Sequence, residues 1–196
     1  MADRLASLLQ MPCLKNRYRH DLIDVTRSLH HRKLFGESTG HWPKRRKQQL
    51  IDVAYQPYRD SVRAAVEKVL QQFTFAVHLS VRSFDLRAGD KLRRTDVGLL
   101  YDPARVEESA LCQDWIDELY YDFPNLRVRR NYPRRGTIDS LTKAMRGQFP
   151  PDQYLGIEVW MNRAWAARNV RLRDEALERF ANALRVTIGI PTSEAA

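Results

Sequence analysis

The sharpest alternation of apolar and polar positions in the chain sets Phe73, Phe75, Val77, Leu79 and Val81 against Thr74, Ala76, His78 and Ser80. A period of two belongs to a strand with one dry face, so "FAVHLSVRSFDL", Phe75 to Leu86, is predicted to be a central strand opening into a polar, arginine-bearing loop. Arg82 falls on its less apolar face, where strands of an α/β sheet hand over to functional loops. Upstream, Leu50, Ile51, Ala54, Tyr58, Val62, Ala65, Val66 and Val69 recur at three-and-four spacing and predict a helix from about Lys44 to Gln72. Pro57 should kink or divide it, because proline lacks a backbone donor and crowds the preceding turn. Leu5, Leu8 and Leu9 predict an opening helix, and Leu22 to Val25 a short strand.

Downstream, "VGLLYDP" (Val97 to Pro103) reads as a strand stopped by Asp102 as N-cap and Pro103 at the first helical position. The helix that follows, to about Tyr121, is expected to bury Val106, Ala110, Leu111, Trp115, Ile116 and Leu119. Asn125 to Gly136 gives a strand and a loop, Thr137 caps a helix to Met145, and "YLGIEVWMN" (Tyr154 to Asn162) is again a strand. Leu172, Ala176, Leu177, Phe180 and Leu184 make the closing amphipathic helix. Strands alternating with helices imply a single α/β domain over residues 1–196 with a mainly parallel sheet flanked by helices.

Composition narrows the function classes. At 196 residues and 43% hydrophobic content the chain can bury a substantial core, and no apolar run approaches the roughly 18 residues of a membrane span. Neither a signal peptide nor a membrane partner is expected. Cys13 and Cys112 have no CxxC spacing, so neither a disulfide scaffold nor a zinc cluster follows, and a reducing cytoplasm is the default. The net charge of +9 raises nucleic acid as a partner, and nine of the 33 basic residues sit in "PKRRK" (Pro43 to Lys47) and "RVRRNYPRRG" (Arg127 to Gly136). With no zinc finger, basic zipper or ribonucleoprotein motif, such runs read more readily as a solvated face or an anion site, which favours a small anionic molecule over nucleic acid.

Six blocks in order, "DVTRS" (Asp24 to Ser28), "YQPYR" (Tyr55 to Arg59), "HLSVRSF" (His78 to Phe84), "RRTDVGLLYDP" (Arg93 to Pro103), "RVRRNYPRRGTID" (Arg127 to Asp139) and "YLGIEVWMN", resemble the N-formylglutamate amidohydrolase family over about residues 15 to 165. Residues 166–196 then form a C-terminal helix and tail. The resemblance implies a zinc-carboxypeptidase-like (phosphorylase/hydrolase-like) core in which zinc or another divalent metal activates a water to attack an N-acyl amino acid amide. Here the chain departs from the family. The family's strand typically ends "VHSF" with a metal-ligand histidine, whereas this one reads "VRSF". Arg82 at that place is a guanidinium, a cation that offers no lone pair and repels a metal ion. The family's other ligands lie in an N-terminal His/Glu segment, and the chain is expected to lack that part of the core and its strand. Gln56 replaces a frequent histidine, Trp160 stands where the family's strand carries a second acid, and Ser140 replaces a glycine.

No metal is therefore expected, and the inherited amide hydrolysis is expected to be impaired or lost. The resemblance makes Glu158 the catalytic candidate, with a buried Glu paired to an arginine, Arg82 above all, as its structural alternative. It makes Arg27, Arg82, Arg94, Asp96, Asn131 and Arg134 the substrate-binding candidates, an N-acyl amino acid being the implied ligand. For Arg27 a salt bridge to Asp24 or Asp96 competes, and for Asp96 a turn cap. His78 reads as a satisfied core histidine, His30 and His31 as loop residues, Ser83 as a serine without a triad, and Cys112 as packing. Two rival classes stand beside this reading: a non-catalytic binder of a small anion using Arg82, Arg27 and Arg94, and a basic nucleic-acid-associated protein. The sequence leaves the oligomeric state open.

Overall fold

The N-terminal leucines form helix α1 (Ala2–Leu9), which buries Leu5 and Leu9 and stops where Gln10 turns left-handed at φ 54°. In the computed structural model, which describes residues 1–167 and 170–190, the chain then runs without a regular strand as far as the long helix. The strand expected at Leu22 to Val25 is reduced to one bridge between Ile23 and Phe35. Asp24 is the reason: its carboxylate takes the backbone N–H and the hydroxyl of Thr26, at 3.1 and 2.6 Å, bending the segment into a side-chain turn.

Residues 44–70 are helical throughout, but in three phases: α2 (Lys44–Leu50), a π turn (Ile51–Tyr55) and α3 (Gln56–Leu70). Pro57 does not break the rod. It lies in the first turn of α3, directly after the wide π turn, where its missing donor is tolerated. Leu50, Ala54 and Tyr55 pack with Ile23, Val25 and Leu34, while Val62 and Val66 pack with Ala76, Leu141, Met145 and Tyr154.

Strand β1 (Ala76–Phe84) follows, then a two-stranded antiparallel hairpin, β2 (Arg87–Ala88) and β3 (Lys91–Leu92), turning at Gly89 with φ 58°. The remaining elements are β4 (Val97–Leu100), α4 (Val106–Asp122), β5 (Val128–Arg130), α5 (Leu141–Arg146), β6 (Tyr154–Asn162), α6 (Arg163–Ala166) and α7 (Val170–Thr187). The main sheet has the order β1-β6-β4-β5. Ala76 N–H donates to Gln153 O at 2.8 Å, so β1 and β6 start side by side and run parallel. β4 and β5 are parallel from Val97 and Val128, whereas β4 meets β6 antiparallel, Val97 opposite Met161. The α/β class and mostly parallel sheet are thus as expected, with one antiparallel seam between two parallel pairs.

β1 is an edge strand, not a central one. Its dry face is correspondingly weak: Phe73 is 65% exposed, Phe75 is exposed, and Val77, Leu79 and Val81 are only partly buried. All nine residues of β6 are buried instead. In α4, Leu111, Trp115, Ile116 and Leu119 are buried as expected, but the first turns differ. Val106 is 74% exposed and Ala110 is exposed, while Glu108 and Cys112 are buried. Glu108 accounts for this by turning inward to accept the Asp102 N–H at 2.9 Å. Asp102 accepts the Ala104 N–H two residues on, and the helix begins only at Val106. Ser140, not Thr137, caps α5, accepting the Lys143 N–H.

These elements form two compact units. The first gathers Met1–Cys13, Leu79–Gly136 and the described chain from Ile157 onward, and holds β4, β5 and the later parts of β1 and β6 with α4, α7 and α1. Trp115 of α4 lies 4.4 Å from the Phe180 ring of α7 and donates to its carbonyl at 2.9 Å, while Arg4 of α1 pairs with Glu178 of α7 at 2.6 Å. The second unit gathers Leu14–His78 and Thr137–Gly156 around the long helix. The tail expected after the closing helix lies, from residue 191, outside the described residues.

Candidate functional site

Glu158 and Trp160 are two residues apart on β6 and therefore share a face of the first unit's sheet. Glu158 is 2% exposed, and the Trp160 indole donates to its Oε2 at 2.9 Å. Two guanidiniums lie on the same indole: Arg82 of β1 at 5.2 Å from the ring centroid and Arg134 of the loop after β5 at 5.1 Å. Contacts of this kind contribute about 0.5–2 kcal/mol each, more as the site dries. Phe84 and Leu100 pack on Trp160, and Tyr132 meets Phe84 edge-on at 5.8 Å. Arg129 stands 5.8 Å from the Tyr132 ring and Arg93 the same distance from Phe84. The result is an aromatic floor with a buried carboxylate beneath it and cations on it.

The loop that delivers Arg134 is fixed by backbone contacts. Asn131 adopts φ 48°, donates its N–H to Leu99 O at 2.7 Å and accepts from Gly136 N and Tyr101 N at 2.8 and 3.3 Å through Oδ1. A short amide is suited to the left-handed region for that reason. A Cβ on Gly98 would overlap Tyr132 O, so glycine is what lets the loop lie against β4. Asn131 thus organises the loop and Arg134 reaches Trp160 from it.

Asp96 and Arg94, neighbours in the same motif, have different surroundings. Asp96 is buried and both its oxygens hold Arg127, with Nε at 3.0 and Nη2 at 3.1 Å, while the Arg127 N–H adds a third bond at 3.1 Å. The hydrogen bond to Asp96, outweighing burial, raises the Arg127 pKa further. Arg94 is exposed. Asn162, at the end of β6, pins this segment by donating to Arg93 O and Thr95 O at 3.1 and 2.9 Å.

Arg27 belongs to the second unit, where three of the sequence blocks converge. It donates to Asp24 at 3.2 Å and to Asp139 O at 3.1 Å, and Ser28 N–H donates to the Asp139 carboxylate at 3.0 Å. Tyr55 and Arg59 of "YQPYR" donate to Arg27 O at 2.8 and 3.2 Å. The Asp24 salt bridge weighed for Arg27 from sequence is present, and burial raises the Tyr55 pKa. His78, in the same unit, is a core histidine: its Nδ1 lies 2.7 Å from the Tyr154 hydroxyl, and burial, then the Arg146 charge, pushes its pKa down to about 4.

The donor set does not fit a catalytic zinc. Such a site takes three lone-pair side chains and leaves a fourth position for water. Among the described residues no three His, Cys, Asp or Glu side chains come together as a ligand group, and the Glu158 cluster pairs its carboxylate with Trp160 beside two cations. Sequence reasoning missed Trp160 as the centre of the cluster, and Tyr132 and Asn162 as its supports. The signal for Trp160 was its place two residues after Glu158, which puts both on one face.

No protein-family model matches the chain, and no curated protein matches it. Two solved structures share its fold. The gene product Atu2144 from Agrobacterium tumefaciens is similar over 96% of this chain and 76% of that one, with a TM-score of 0.74 and 16% identity. N-formylglutamate amidohydrolase from Ralstonia eutropha JMP134 is similar over 96% and 81%, with a TM-score of 0.61 and again 16% identity. At that identity the likeness is one of fold, and the family that the six sequence blocks resemble is the family of one of these two neighbours.

Proposed function

We propose that the chain is an N-formylglutamate amidohydrolase-like protein, with a zinc-carboxypeptidase-like core, whose Glu158 site binds a carboxylate-bearing N-acyl amino acid and no longer hydrolyses it through a metal. The observation that carries this is the paired placement of Arg82 and Arg134 on the Trp160 ring beside buried Glu158. Two guanidiniums on the indole beside the buried carboxylate suit an anionic ligand, whose carboxylate a guanidinium holds by a charge-assisted, bidentate bond. Arg82 supports the reading twice: it offers a planar donor fork to an anion and no lone pair to a cation. Glu158 holds the indole and, through it, the platform on which both arginines lie. Cys13 and Cys112, neither of them in a disulfide, suit a cytoplasmic protein.

The test is calorimetric titration with N-formylglutamate, with formate measured in the same samples at neutral pH. Saturable binding without formate is expected, and Arg82→Gln should weaken it at least tenfold. Formate release above that of a Glu158→Gln control, or about one zinc per chain resisting mild chelation, would defeat the reading.

A further inference from the structure

The two cationic runs in the sequence have opposite fates in the fold. In the second, Arg127 is held by Asp96, Arg129 lies by Tyr132, Arg130 bonds Gln113 at 2.7 Å and Arg134 lies on Trp160, so that only Arg135 of the five stands exposed without such a contact among the described residues. In the first, Lys47 bonds Gly40 O and lies 5.1 Å from the Phe35 ring, but Lys44, Arg45 and Arg46 are exposed. Arg32 and Lys33 are exposed too, in the loop whose Leu34 and Phe35 pack with Leu50 of the same helix. Among the described residues, no ion pair or hydrogen bond engages the side chains of these five.

Helix stability does not explain them. The first turn of α2 has no acid and no side-chain cap, and its cations face the positive end of the helix dipole. The charge is also local: the second unit has 15 lysines and arginines against 8 acids, the first 18 against 16. Beside Arg46 lies a groove of about 300 Å³ lined by Trp42, Arg46, Gln49, Leu50 and Val53, the low end of the range for small-ligand sites. A basic surface next to an aromatic-lined groove is the combination that holds single strands, phosphates on the cations and a base against the ring.

We infer that this face of the second unit binds single-stranded nucleic acid, with Lys44, Arg45, Arg46, Arg32 and Lys33 on the phosphates and a base in the Trp42 groove. A membrane surface fits less well. The apolar side of the long helix is buried through Leu50, Ala54, Tyr55, Val62 and Val66, leaving no broad apolar face to enter lipid.

The experiment is fluorescence anisotropy with a labelled 15-nucleotide oligothymidylate from 50 to 300 mM salt, alongside tryptophan fluorescence. Binding is expected with a log–log salt slope of about −3.5, since each of the five neutralised phosphates on a single strand contributes about 0.7. The triple variant Lys44→Gln, Arg45→Gln, Arg46→Gln, with its fold checked by circular dichroism, should bind at least tenfold more weakly with a slope flatter by about 2. Trp42→Phe should keep the salt slope and lose the oligonucleotide-induced quench. An unchanged affinity in the triple variant overturns the proposal. So does displacement of the oligonucleotide at equal charge concentration by polyglutamate, which would mean polyanion attraction only, or by phosphatidylserine vesicles, which would mean a membrane surface.

Discussion

His78 loses its charge to burial, and the consequence is a pH-dependent stability. Its folded pKa of about 4 lies below the ordinary 6.5, so the unfolded chain takes up the proton first. Its contribution is complete above about pH 6.5 and is lost as pH falls towards 4, by about 3 kcal/mol on linkage arithmetic. His78 ring resonances should therefore stay in the neutral form down to about pH 5, while the urea midpoint falls over the same window. A His78 titration near pH 6.5 would show that the ring is not held neutral by the fold. The sequence reading of His78 as a satisfied histidine agrees with its Nδ1 lying 2.7 Å from the Tyr154 hydroxyl. Trp160 shows the opposite case. As a residue it registered only as a missing acid, since nothing in a linear sequence says that one indole receives both Arg82 and Arg134 while donating to Glu158.

The elements were legible where burial is complete and misread where it is partial. β6, buried at every position, and the opening and closing helices stand where the apolar pattern puts them. Alternation reads alike at the centre and the edge of a sheet, so it predicts a central β1 where the strand order reveals an edge. Leu22 to Val25 looked like a strand because its apolar residues are buried, but the Asp24 turn, made of side-chain bonds, sets the backbone. β4 carries a sharper constraint. An alanine at Gly98 would place its Cβ into Tyr132 O, so Gly98→Ala should destabilise the protein by about 2–3 kcal/mol, as overpacking does, and loosen the Arg134 loop. Urea denaturation reads the first effect and weaker ligand binding the second; wild-type values for both would refute the close approach.

At the scale of the whole molecule, the proposed lack of a metal makes a prediction about stability. Chelation should therefore leave the thermal midpoint unchanged, since removing a structural metal from a site that holds one lowers it sharply. A fall of several degrees on adding EDTA, reversed by zinc, would contradict the misfit of the donor set. The likeness to the amidohydrolase structure was legible from ordered motifs even at 16% identity, because backbone-shaping residues such as Gly98, Asn131 and Asp24 sit inside them. The division into two units was not, since each is assembled from distant stretches. The pairing of α1 with α7 carries this to its limit. Leu5 and Leu9 find their cover in a helix made some 160 residues later, and at about 5–20 residues per second a nascent chain carries them uncovered for roughly 10–30 s. Synthesis thus leaves the apolar side of this amphipathic helix without its partner until α7 has been made.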